Sequence, residues 1–238
     1  MNDSISVCMA TYNGEKYIAA QLQSILGQLG DNDEIIISDD SSTDRTIEII
    51  ENFRDGRIKI LRGQSFKSPI YNFENALKNA RNEFIFLSDQ DDIWTQSRVE
   101  VCKTYLKESD VVVCDANVID NEMNITNDSF FATRNSGPGL VKNLFRNSYL
   151  GCCMAFKKNL LNVALPFPDK IPMHDIWLGF VAEISFKSIF IDDKLVLYRR
   201  HTDNATTTGG LSNNNLWNKL LLRVNLIRYL PKVILRTF

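Results

Sequence analysis

Polar turns divide the first 95 residues into short apolar runs and longer segments with helical periodicity. Residues 5–10, 34–38 and 84–87 are apolar enough to form strands that are buried on both faces of a sheet. Apolar side chains recur at helical spacing between these runs, for example within residues 15–29. This alternation of strand and helix predicts an α/β fold, with a parallel sheet and helices on both faces.

Three carboxylates, Asp89, Asp91 and Asp92, follow directly after residues 84–87. In an extended backbone Asp89 and Asp91 point to the same side, so their charges repel unless a cation or water lies between them. Oxygen ligands suit Mg²⁺ or Mn²⁺, and ligands of open α/β sheets bind at the carboxyl ends of strands. A solvated acidic turn is the alternative. The apolar residues 93–94 would anchor the loop, and they favour a metal site.

Composition and charge narrow the class of protein. The 238 residues suffice for one sizeable α/β domain or two small ones, and 44% are hydrophobic, as in ordinary globular chains. The net charge of −2 provides no global positive potential, so we expect no nucleic-acid partner. The five cysteines form no Cys-x-x-Cys pair, no signal peptide is recognisable, and no stretch approaches the ~20 apolar residues of a membrane span. We therefore expect a cytoplasmic protein.

The second half of the chain is less regular. Strands are predicted at residues 111–114, 152–156, 189–191 and 195–198, and helices at 95–107, 157–164 and from about 174. Residues 128–139 are polar and contain Gly137-Pro138-Gly139, which predicts a long flexible loop of the kind that often contacts substrates. Earlier in the chain, Ser41 and Asp44 resemble a capping box and predict the start of the second helix.

Four motifs together resemble family 2 glycosyltransferases of the GT-A fold. They are residues 6–14 (Ser-Val-Cys-Met-Ala-Thr-Tyr-Asn-Gly), 37–44 (Ile-Ser-Asp-Asp-Ser-Ser-Thr-Asp), 89–94 (Asp-Gln-Asp-Asp-Ile-Trp) and 174–177 (His-Asp-Ile-Trp). The match runs from Ile5 to about Asn204. The last two motifs most resemble the bacterial rhamnosyltransferase-like branch, which builds surface polysaccharides. Ser41 is a small departure, because a glycine is common there.

The resemblance implies a GT-A domain over residues 1–210, with a nucleotide-binding half at 1–95 and an acceptor-binding half at 96–210. A tail at 211–238 follows, and its charged residues are the cations Lys219, Arg223, Arg228, Lys232 and Arg236. Its pattern predicts an amphipathic basic helix, broken near Pro231, in peripheral contact with anionic lipid at the inner face of the plasma membrane. The alternative is a helix that packs on the domain and leaves its charges solvated.

The resemblance also implies an activity. It is the inverting, metal-dependent transfer of a sugar from a UDP- or dTDP-sugar, with dTDP-rhamnose as one candidate, to a glycan or lipid-linked acceptor. Asp91 would hold Mn²⁺ or Mg²⁺, and Asp89 would contact that metal through water or contact the donor's ribose and sugar. Asp175 would be the general base that takes the proton of the acceptor hydroxyl. That role is compatible with Asp175 also being a helix N-cap.

Further side chains are implied to bind the donor or the metal. Asp39 would accept the imide N–H of uracil or thymine, and His201 would lie near the metal or the diphosphate. The donor-binding set is Thr11, Tyr12, Asn13, Asp39, Asp40, Asp89, Arg199 and Arg200. Structural alternatives stay open: Asp40 as a helix-capping neighbour, Tyr12 as a packing residue and His201 as an ordinary surface residue.

Two other functional classes stay open on the sequence. The first is a non-catalytic module that binds nucleotide sugars within a polysaccharide assembly complex, and the intact Asp91 and Asp175 argue against it. The second is a Mg²⁺-dependent phosphohydrolase, since acidic loops at strand ends serve that chemistry too. Such an enzyme would need neither residues 11–14 nor residues 174–177.

Overall fold

The computed structural model describes residues 3–200 and 216–237. Within them, one sheet is built from β1 (Ile5–Thr11), β2 (Glu34–Asp39), β3 (Ile58–Leu61), β4 (Phe84–Ser88), β5 (Ile93–Trp94), β6 (Val111–Ile119), β7 (Ile125–Asn127), β8 (Met154–Lys157) and β9 (Ser188–Arg199). The order across the sheet is β3-β2-β1-β4-β8-β6-β9-β5, and β7 pairs with β6 beside this path.

The helices of the described residues are α1 (Ile18–Leu26), α2 (Thr46–Asn52), α3 (Pro69–Lys78), α4 (Arg98–Leu106), α5 (Phe130–Arg134), α6 (Leu140–Phe145), α7 (Asn159–Ala164), α8 (His174–Ser185), α9 (Leu216–Arg228) and α10 (Leu230–Thr237). A 3-10 turn, Gly151–Cys153, precedes β8. Helix α1 shows the amphipathic spacing that drives this packing, because it buries Ile18, Leu22 and Ile25 on one face.

Strands β3, β2, β1 and β4 are parallel neighbours. In their register Thr11 pairs with Asp39, and Met9 pairs with Ser88. The carboxyl ends of β1, β2 and β4 therefore lie at the same edge of the sheet, and the turns that follow them meet there. The predicted α/β fold with a mostly parallel central sheet is confirmed.

Strand β8 reverses the direction of the sheet. It runs antiparallel to both β4 and β6, and Phe86 of β4 pairs with Ala155. Because the two strands are antiparallel, the 3-10 turn Gly151–Cys153 at the start of β8 lies beside the end of β4. This topology brings a segment 60 residues downstream next to the acidic loop that follows β4.

Two predictions for the second half were wrong. Residues 128–139 do not form one long flexible loop, because α5 occupies part of them and Ser129 caps that helix by accepting from Ala132 N. The buried Asp115 holds the segment by accepting from Ser129 Oγ at 2.6 Å and from Phe131 N at 2.9 Å. The two late strands are one strand, β9, whose pairing with β6 shifts register beside Cys114.

The predicted capping box at Ser41 and Asp44 was also wrong. Helix α2 begins at Thr46, and Ser41 lies before it at φ 62° with its hydroxyl donated to Gln64 O. A left-handed backbone of this kind explains why glycine is common at this position. Asp44 instead accepts from Thr46 N and from Glu15 N, which ties the turn after β1 to the turn after β2.

The tail packs one of its faces on the domain. Val233 is buried, and Arg236 Nη1 donates to the carbonyls of Val163 at 2.9 Å and Leu165 at 2.8 Å. Other side chains of the tail are exposed, and they are Leu221, Val224, Ile227, Arg228, Lys232, Ile234 and Leu235. No helix in the described part of the chain is both long and apolar enough to cross a membrane. The contacts of Val233 and Arg236 support the alternative in which the tail packs on the domain, and contact of its exposed side chains with lipid stays a prediction.

Candidate active site

The turn after β1 and the end of β2 are joined by a buried carboxylate. Thr11 Oγ1 donates to Asp39 Oδ1 at 2.9 Å. Ser42 donates twice, from its hydroxyl to Oδ1 at 2.6 Å and from its backbone N to Oδ2 at 2.9 Å. An ionised carboxylate accepts about four hydrogen bonds, so Asp39 keeps capacity for one more donor. The structure therefore places Thr11 and Asp39 together, at the sheet edge where ligands bind.

The turn after β1 is also tied to the acidic loop. The side-chain amide of Gln90 accepts from Tyr12 N at 3.0 Å and donates to Tyr12 O at 3.1 Å. Asn13, at φ 47°, accepts from Thr43 N through its side-chain oxygen at 2.8 Å. These contacts fix the backbone and leave the Tyr12 ring 58% exposed at the edge of the site. An exposed ring in this place is suited to stacking on a base.

Asp40 makes hydrogen bonds that stabilise the fold. Its carboxylate is buried and accepts from Phe66 N at 2.5 Å and from Ser68 N at 3.2 Å. These bonds hold the segment that leads into α3, whose N-cap is Ser68. The structural alternative for Asp40 therefore has direct support.

The acidic loop after β4 brings two of its carboxylates together with a thiol. Oxygen atoms of Asp89 and Asp92 and the Cys152 sulfur all lie within 4.8 Å of one another. Asp92 is buried, and its Oδ1 accepts from Arg199 N at 2.9 Å. Its Oδ2 is buried without a partner of good geometry among the described residues, beside the Cys152 thiol. An orphaned buried carboxylate oxygen beside a second carboxylate fits a cation.

The electrostatics of this loop also favour a cation. Burial, followed by the charges of Asp92 and Asp91, raises the pKa of Asp89 well above its ordinary value. Burial and the charge of Asp91 raise the pKa of Asp92 to about 7. A cation bound here would offset the repulsion between these carboxylates. The metal ligands predicted from the sequence were Asp91, Asp89 and His201. The group of possible ligands that the described residues bring together contains Asp89, Asp92 and Cys152, whereas Asp91 is half-buried and lies outside this group. His201 lies outside the described residues.

Arg199 braces the acidic loop. Its Nε donates to Asp91 O at 2.9 Å, and its Nη1 donates to Asp120 O at 3.0 Å. The guanidinium also lies 5.0 Å from the centre of the Tyr17 ring. A phosphate contact by Arg199 would have to be made in addition to these bonds. Arg200 is exposed, and its backbone N donates to Ile119 O at 2.9 Å.

Asp175 lies in the first turn of α8 and is buried. Its Oδ1 accepts from Ile176 N at 2.7 Å, and its Oδ2 accepts from Gly151 N at 3.2 Å. The N-cap of α8 is Met173, so the N-cap alternative for Asp175 was wrong. Burial raises the pKa of Asp175 to about 6, although these backbone hydrogen bonds oppose the rise. The carboxylate is therefore ionised at neutral pH, yet more basic than an exposed aspartate.

The 3-10 turn Gly151–Cys153 joins Asp175 to the acidic loop. Gly151 binds Asp175, and the next residue, Cys152, lies in the cluster with Asp89 and Asp92. The charge of Asp175 also contributes to the raised pKa of Asp89, as expected for two nearby carboxylates. Two motifs 86 positions apart in the sequence thus lie close together and make up one candidate site.

His174, next to Asp175, packs rather than titrates. Its ring stacks on Phe73 with centroids 3.9 Å apart, and both ring nitrogens are buried without partners among the described residues. Burial lowers the pKa of His174 to about 3, so the ring is neutral. A Cβ on Gly151 would lie 2.9 Å from His174 Nε2, so the close approach of this turn depends on a glycine.

The model of the Glycosyl transferase family 2 matches residues 6–163, which is more than half of the chain. The chain belongs to glycosyltransferase family 2. Relatives support this membership. The chain is 33% identical over 215 residues to the dTDP-rhamnosyl transferase RfbG of Shigella flexneri, covering 82% of this chain and 72% of RfbG. It is 29% identical over 188 residues to the UDP-Glc:alpha-D-GlcNAc-diphosphoundecaprenol beta-1,3-glucosyltransferase WfgD of Escherichia coli, covering 78% of this chain and 72% of WfgD.

Solved structures show the same GT-A fold. The Staphylococcus aureus TarS 1-349 structure in complex with UDP-GlcNAc has a TM-score of 0.72 at 21% identity, covering 94% of this family 2 chain and 66% of TarS 1-349. The mannosyltransferase PcManGT of Pyrobaculum calidifontis, in complex with GDP-Man and Mn²⁺, has a TM-score of 0.66 at 17% identity, covering 99% and 69%. The chain thus spans about two thirds of the TarS chain it matches. At these identities the likeness establishes the fold, and the sequence match establishes the family.

Proposed function

We propose that this family 2 glycosyltransferase transfers a sugar from a UDP- or dTDP-sugar to a hydroxyl of a glycan or lipid-linked acceptor, with inversion, in bacterial surface polysaccharide synthesis. The observation that carries the proposal is the contact between Asp175 and the acidic loop through Gly151 and Cys152. It places a buried carboxylate with a raised pKa beside a group of carboxylates that suits a cation. Residues 1–95 contribute the donor side of this site, and residues 96–210 contribute the base.

The donor side is prepared by backbone turns that the chain holds in place. Asp39 keeps one free acceptor position for the imide N–H of uracil or thymine, and the exposed Tyr12 ring lies in the neighbouring turn. Arg200 is the exposed cation closest in sequence to the brace formed by Arg199, and we assign it to the diphosphate. Mn²⁺ or Mg²⁺ held by Asp91, Asp89 and Asp92 would neutralise the leaving diphosphate as a Lewis acid.

Asp175 performs the proton transfer. One of its carboxylate oxygens accepts the proton of the acceptor hydroxyl while the oxygen of that hydroxyl forms its bond to the anomeric carbon. The bond from the anomeric carbon to the donor phosphate breaks on the opposite side, and the nucleoside diphosphate leaves. A single displacement of this kind inverts the anomeric configuration. Hydrogen bonds from Gly151 N and Ile176 N keep the carboxylate oriented through the step.

The names of the relatives guide the choice of substrates. WfgD is named for a UDP-glucose donor and a diphosphoundecaprenol-linked acceptor, and RfbG is named for dTDP-rhamnose. The two names share a pyrimidine nucleotide and differ in the sugar. We therefore extend the pyrimidine donor to this chain, keep dTDP-rhamnose as one candidate, and propose a lipid-linked acceptor.

A lipid-linked acceptor lies at a membrane, and the exposed side chains of the tail suit contact with a membrane surface. Leu221, Val224 and Leu235 are 59%, 51% and 80% exposed, and the cations Arg228 and Lys232 are exposed beside them. Apolar side chains interleaved with cations suit the interface of an anionic membrane. We therefore propose peripheral contact of these side chains with the inner leaflet, where such an acceptor would be presented.

Product analysis tests the proposed function. The purified protein is incubated with Mn²⁺, a panel of UDP- and dTDP-sugars, and an undecaprenyl-diphosphate-linked saccharide. Nucleoside diphosphate that is released only when acceptor is present supports transfer. Donor binding without release would instead identify a non-catalytic module, and free phosphate would identify a phosphohydrolase. A thermal-shift screen finds the donor first, because a ligand at ~100 times its dissociation constant adds about 2.7 kcal/mol to the free energy of unfolding.

A further inference from the structure

Arg98, in the first turn of α4, is a buried cation that none of the roles above uses. Its side chain is fully buried. Among the described residues it forms no salt bridge, and its Nε and Nη1 atoms have no hydrogen-bond partner. An unpaired buried guanidinium is costly unless nearby negative charge offsets the loss of hydration. The surroundings of Arg98 should therefore contain that charge.

The contacts of Arg98 lie on both sides of the acidic loop. Its Nη2 donates to Leu87 O at 3.3 Å, and its guanidinium carbon lies 4.1 Å from the centre of the Trp94 ring. Leu87 comes two residues before Asp89, and Trp94 comes two residues after Asp92. The guanidinium therefore lies at the base of the loop and joins its two ends.

The loop between these two contacts carries Asp89 and Asp92, and the guanidinium charge of Arg98 interacts favourably with both carboxylates. The same carboxylates are the ones that fit a divalent cation. Two positive charges that face the same carboxylates weaken each other's binding, because each repels the other. This opposition is reciprocal, as any coupling free energy between two sites must be.

We propose that Arg98 is a positioning residue and the resident counter-charge of the acidic loop, which weakens the binding of a divalent cation in the absence of nucleotide. The diphosphate of the donor supplies the additional negative charge that overcomes this opposition. The cation therefore binds together with the nucleoside diphosphate and not before it. The order of binding rests on the proposed function, whereas the opposition between Arg98 and the cation does not.

Calorimetric titration with Mn²⁺ alone, at low ionic strength, tests the opposition. Arg98→Met removes the charge and keeps most of the side-chain length, so we expect it to bind Mn²⁺ about tenfold or more tightly than the parent protein, which is about 1.4 kcal/mol. Arg98→Lys keeps the charge and should retain the weak affinity of the parent. Arg57→Met is a matched control. Arg57 is partly buried and, like Arg98, donates to a backbone carbonyl, Leu29 O, but it precedes β3 at the edge of the sheet opposite to the acidic loop. It should leave Mn²⁺ affinity unchanged.

Repeating the titration with UDP or dTDP present tests the order of binding. The nucleotide should increase Mn²⁺ affinity strongly in the parent and less in Arg98→Met. If Arg98 only holds the loop in place, Arg98→Met should bind Mn²⁺ alone more weakly than the parent, because a disordered loop binds the cation more weakly. Unchanged or weaker Mn²⁺ binding by folded Arg98→Met, or no binding by either protein, would overturn the proposal.

If Arg98→Met does not fold, Arg98→Gln makes the same comparison with a donor kept for Leu87 O. Failure of both variants to fold in the presence of Mn²⁺ would also count against the proposal, since the cation should replace the lost charge. If the parent binds neither UDP nor dTDP with Mn²⁺, the proposed function fails, while the metal-alone comparison still decides the role of Arg98.

Discussion

At the scale of single residues, the burial of Asp175 sets the pH range in which it can act as a base. Only the ionised carboxylate accepts the acceptor proton, and its raised pKa of about 6 means that the ionised fraction falls as the pH is lowered through that value. We expect kcat to decline below pH 6 in the parent. We also expect Asp175→Asn to lose ~10²–10⁴-fold in kcat with donor affinity nearly unchanged. Steady-state kinetics between pH 5 and 8, with calorimetry for the donor, measure both effects.

The asparagine variant also controls for folding, since it keeps the size and one acceptor oxygen of Asp175. Its thermal melting at pH 7.5 should resemble that of the parent. A kcat within a few-fold of the parent would move the base elsewhere. A parent rate that does not change between pH 5 and 7 would mean that Asp175 does not titrate in the rate-limiting step.

The metal ligands can be separated by two substitutions in the acidic loop. We expect Asp91→Ala to abolish the Mn²⁺-dependent part of UDP or dTDP binding, because the resemblance assigns the ion to this carboxylate. Asp92→Asn keeps an oxygen for Arg199 N and should weaken Mn²⁺-dependent binding less. Calorimetry of both variants gives the comparison. The reverse ranking would place the ion in the cluster of Asp89, Asp92 and Cys152 and remove Asp91 from it.

Candidate site residues could be selected from the sequence where they belong to a recognisable motif. Asp89 and Asp91 follow an apolar strand and Asp175 lies in the motif 174–177, so all three were selected, and their roles stay predictions. Cys152 and Arg98 were missed, because an ordinary cysteine in an apolar run and an arginine in a helix carry no local sign of burial. Their importance comes from β8 and α4 packing beside the end of β4, which is a tertiary property.

At the scale of elements, Gly179 allows α8 to pack against the segment that leads into the 3-10 turn. A Cβ on Gly179 would lie 2.4 Å from atoms of the Tyr149 ring, and the Tyr149 hydroxyl donates to Glu183 Oε1 at 2.9 Å. We expect Gly179→Ala to lower the free energy of unfolding by about 1–3 kcal/mol, since the ring cannot move without breaking this bond. Urea titration measures the change.

The matched control is Gly27→Ala. Gly27 ends α1 with right-handed backbone angles, and the nearest atom to an added Cβ is Gln23 O at 3.8 Å. This variant should be neutral or stabilised by about 0.4–1 kcal/mol. Equal effects of the two substitutions would show that the Tyr149 contact does not contribute to stability.

Strands and helices were predictable where apolar residues recur at a regular spacing. The residues at which they begin and end were not predictable. Strands β1, β2 and β4 were found because both of their faces are buried and their runs are continuous. Helix α1 was predicted over residues 15–29 but spans Ile18–Leu26, since backbone hydrogen bonds of the preceding turn involve Gly14. The short helix α5 was missed because long-range bonds to Asp115 order it, and no local pattern reports such bonds.

At the scale of the whole molecule, the parallel arrangement of the first four strands followed from the alternation of strand and helix. The placement of β8 between β4 and β6 did not, because antiparallel insertion depends on a pairing between distant segments. The candidate active site lies at this unpredicted junction. The motifs of this candidate site were predicted from the sequence, and the structure adds residues 151–153 beside them.

The tail makes a prediction at the same scale. Its cations Arg228 and Lys232 are exposed, so Arg228→Gln with Lys232→Gln should leave the melting temperature unchanged. Each cation near an anionic membrane contributes roughly 1 kcal/mol, so losing two should weaken binding to phosphatidylserine-containing vesicles by about 30-fold. The binding of the parent should fall as salt is added, because the Debye length is only ~8 Å at physiological ionic strength. Vesicle sedimentation measures both effects.

Removing residues 212–238 entirely is a less specific test, because it also removes Val233 and the bonds of Arg236 to Val163 O and Leu165 O. The matched control for the double variant removes the same charge from exposed Arg54 and Lys107, which lie outside the tail. Equal vesicle binding by the double variant and the control would show that net charge alone governs any membrane contact. A lower melting temperature of the double variant with unchanged vesicle binding would assign these side chains of the tail to packing, because the membrane interpretation requires the two results to be reversed.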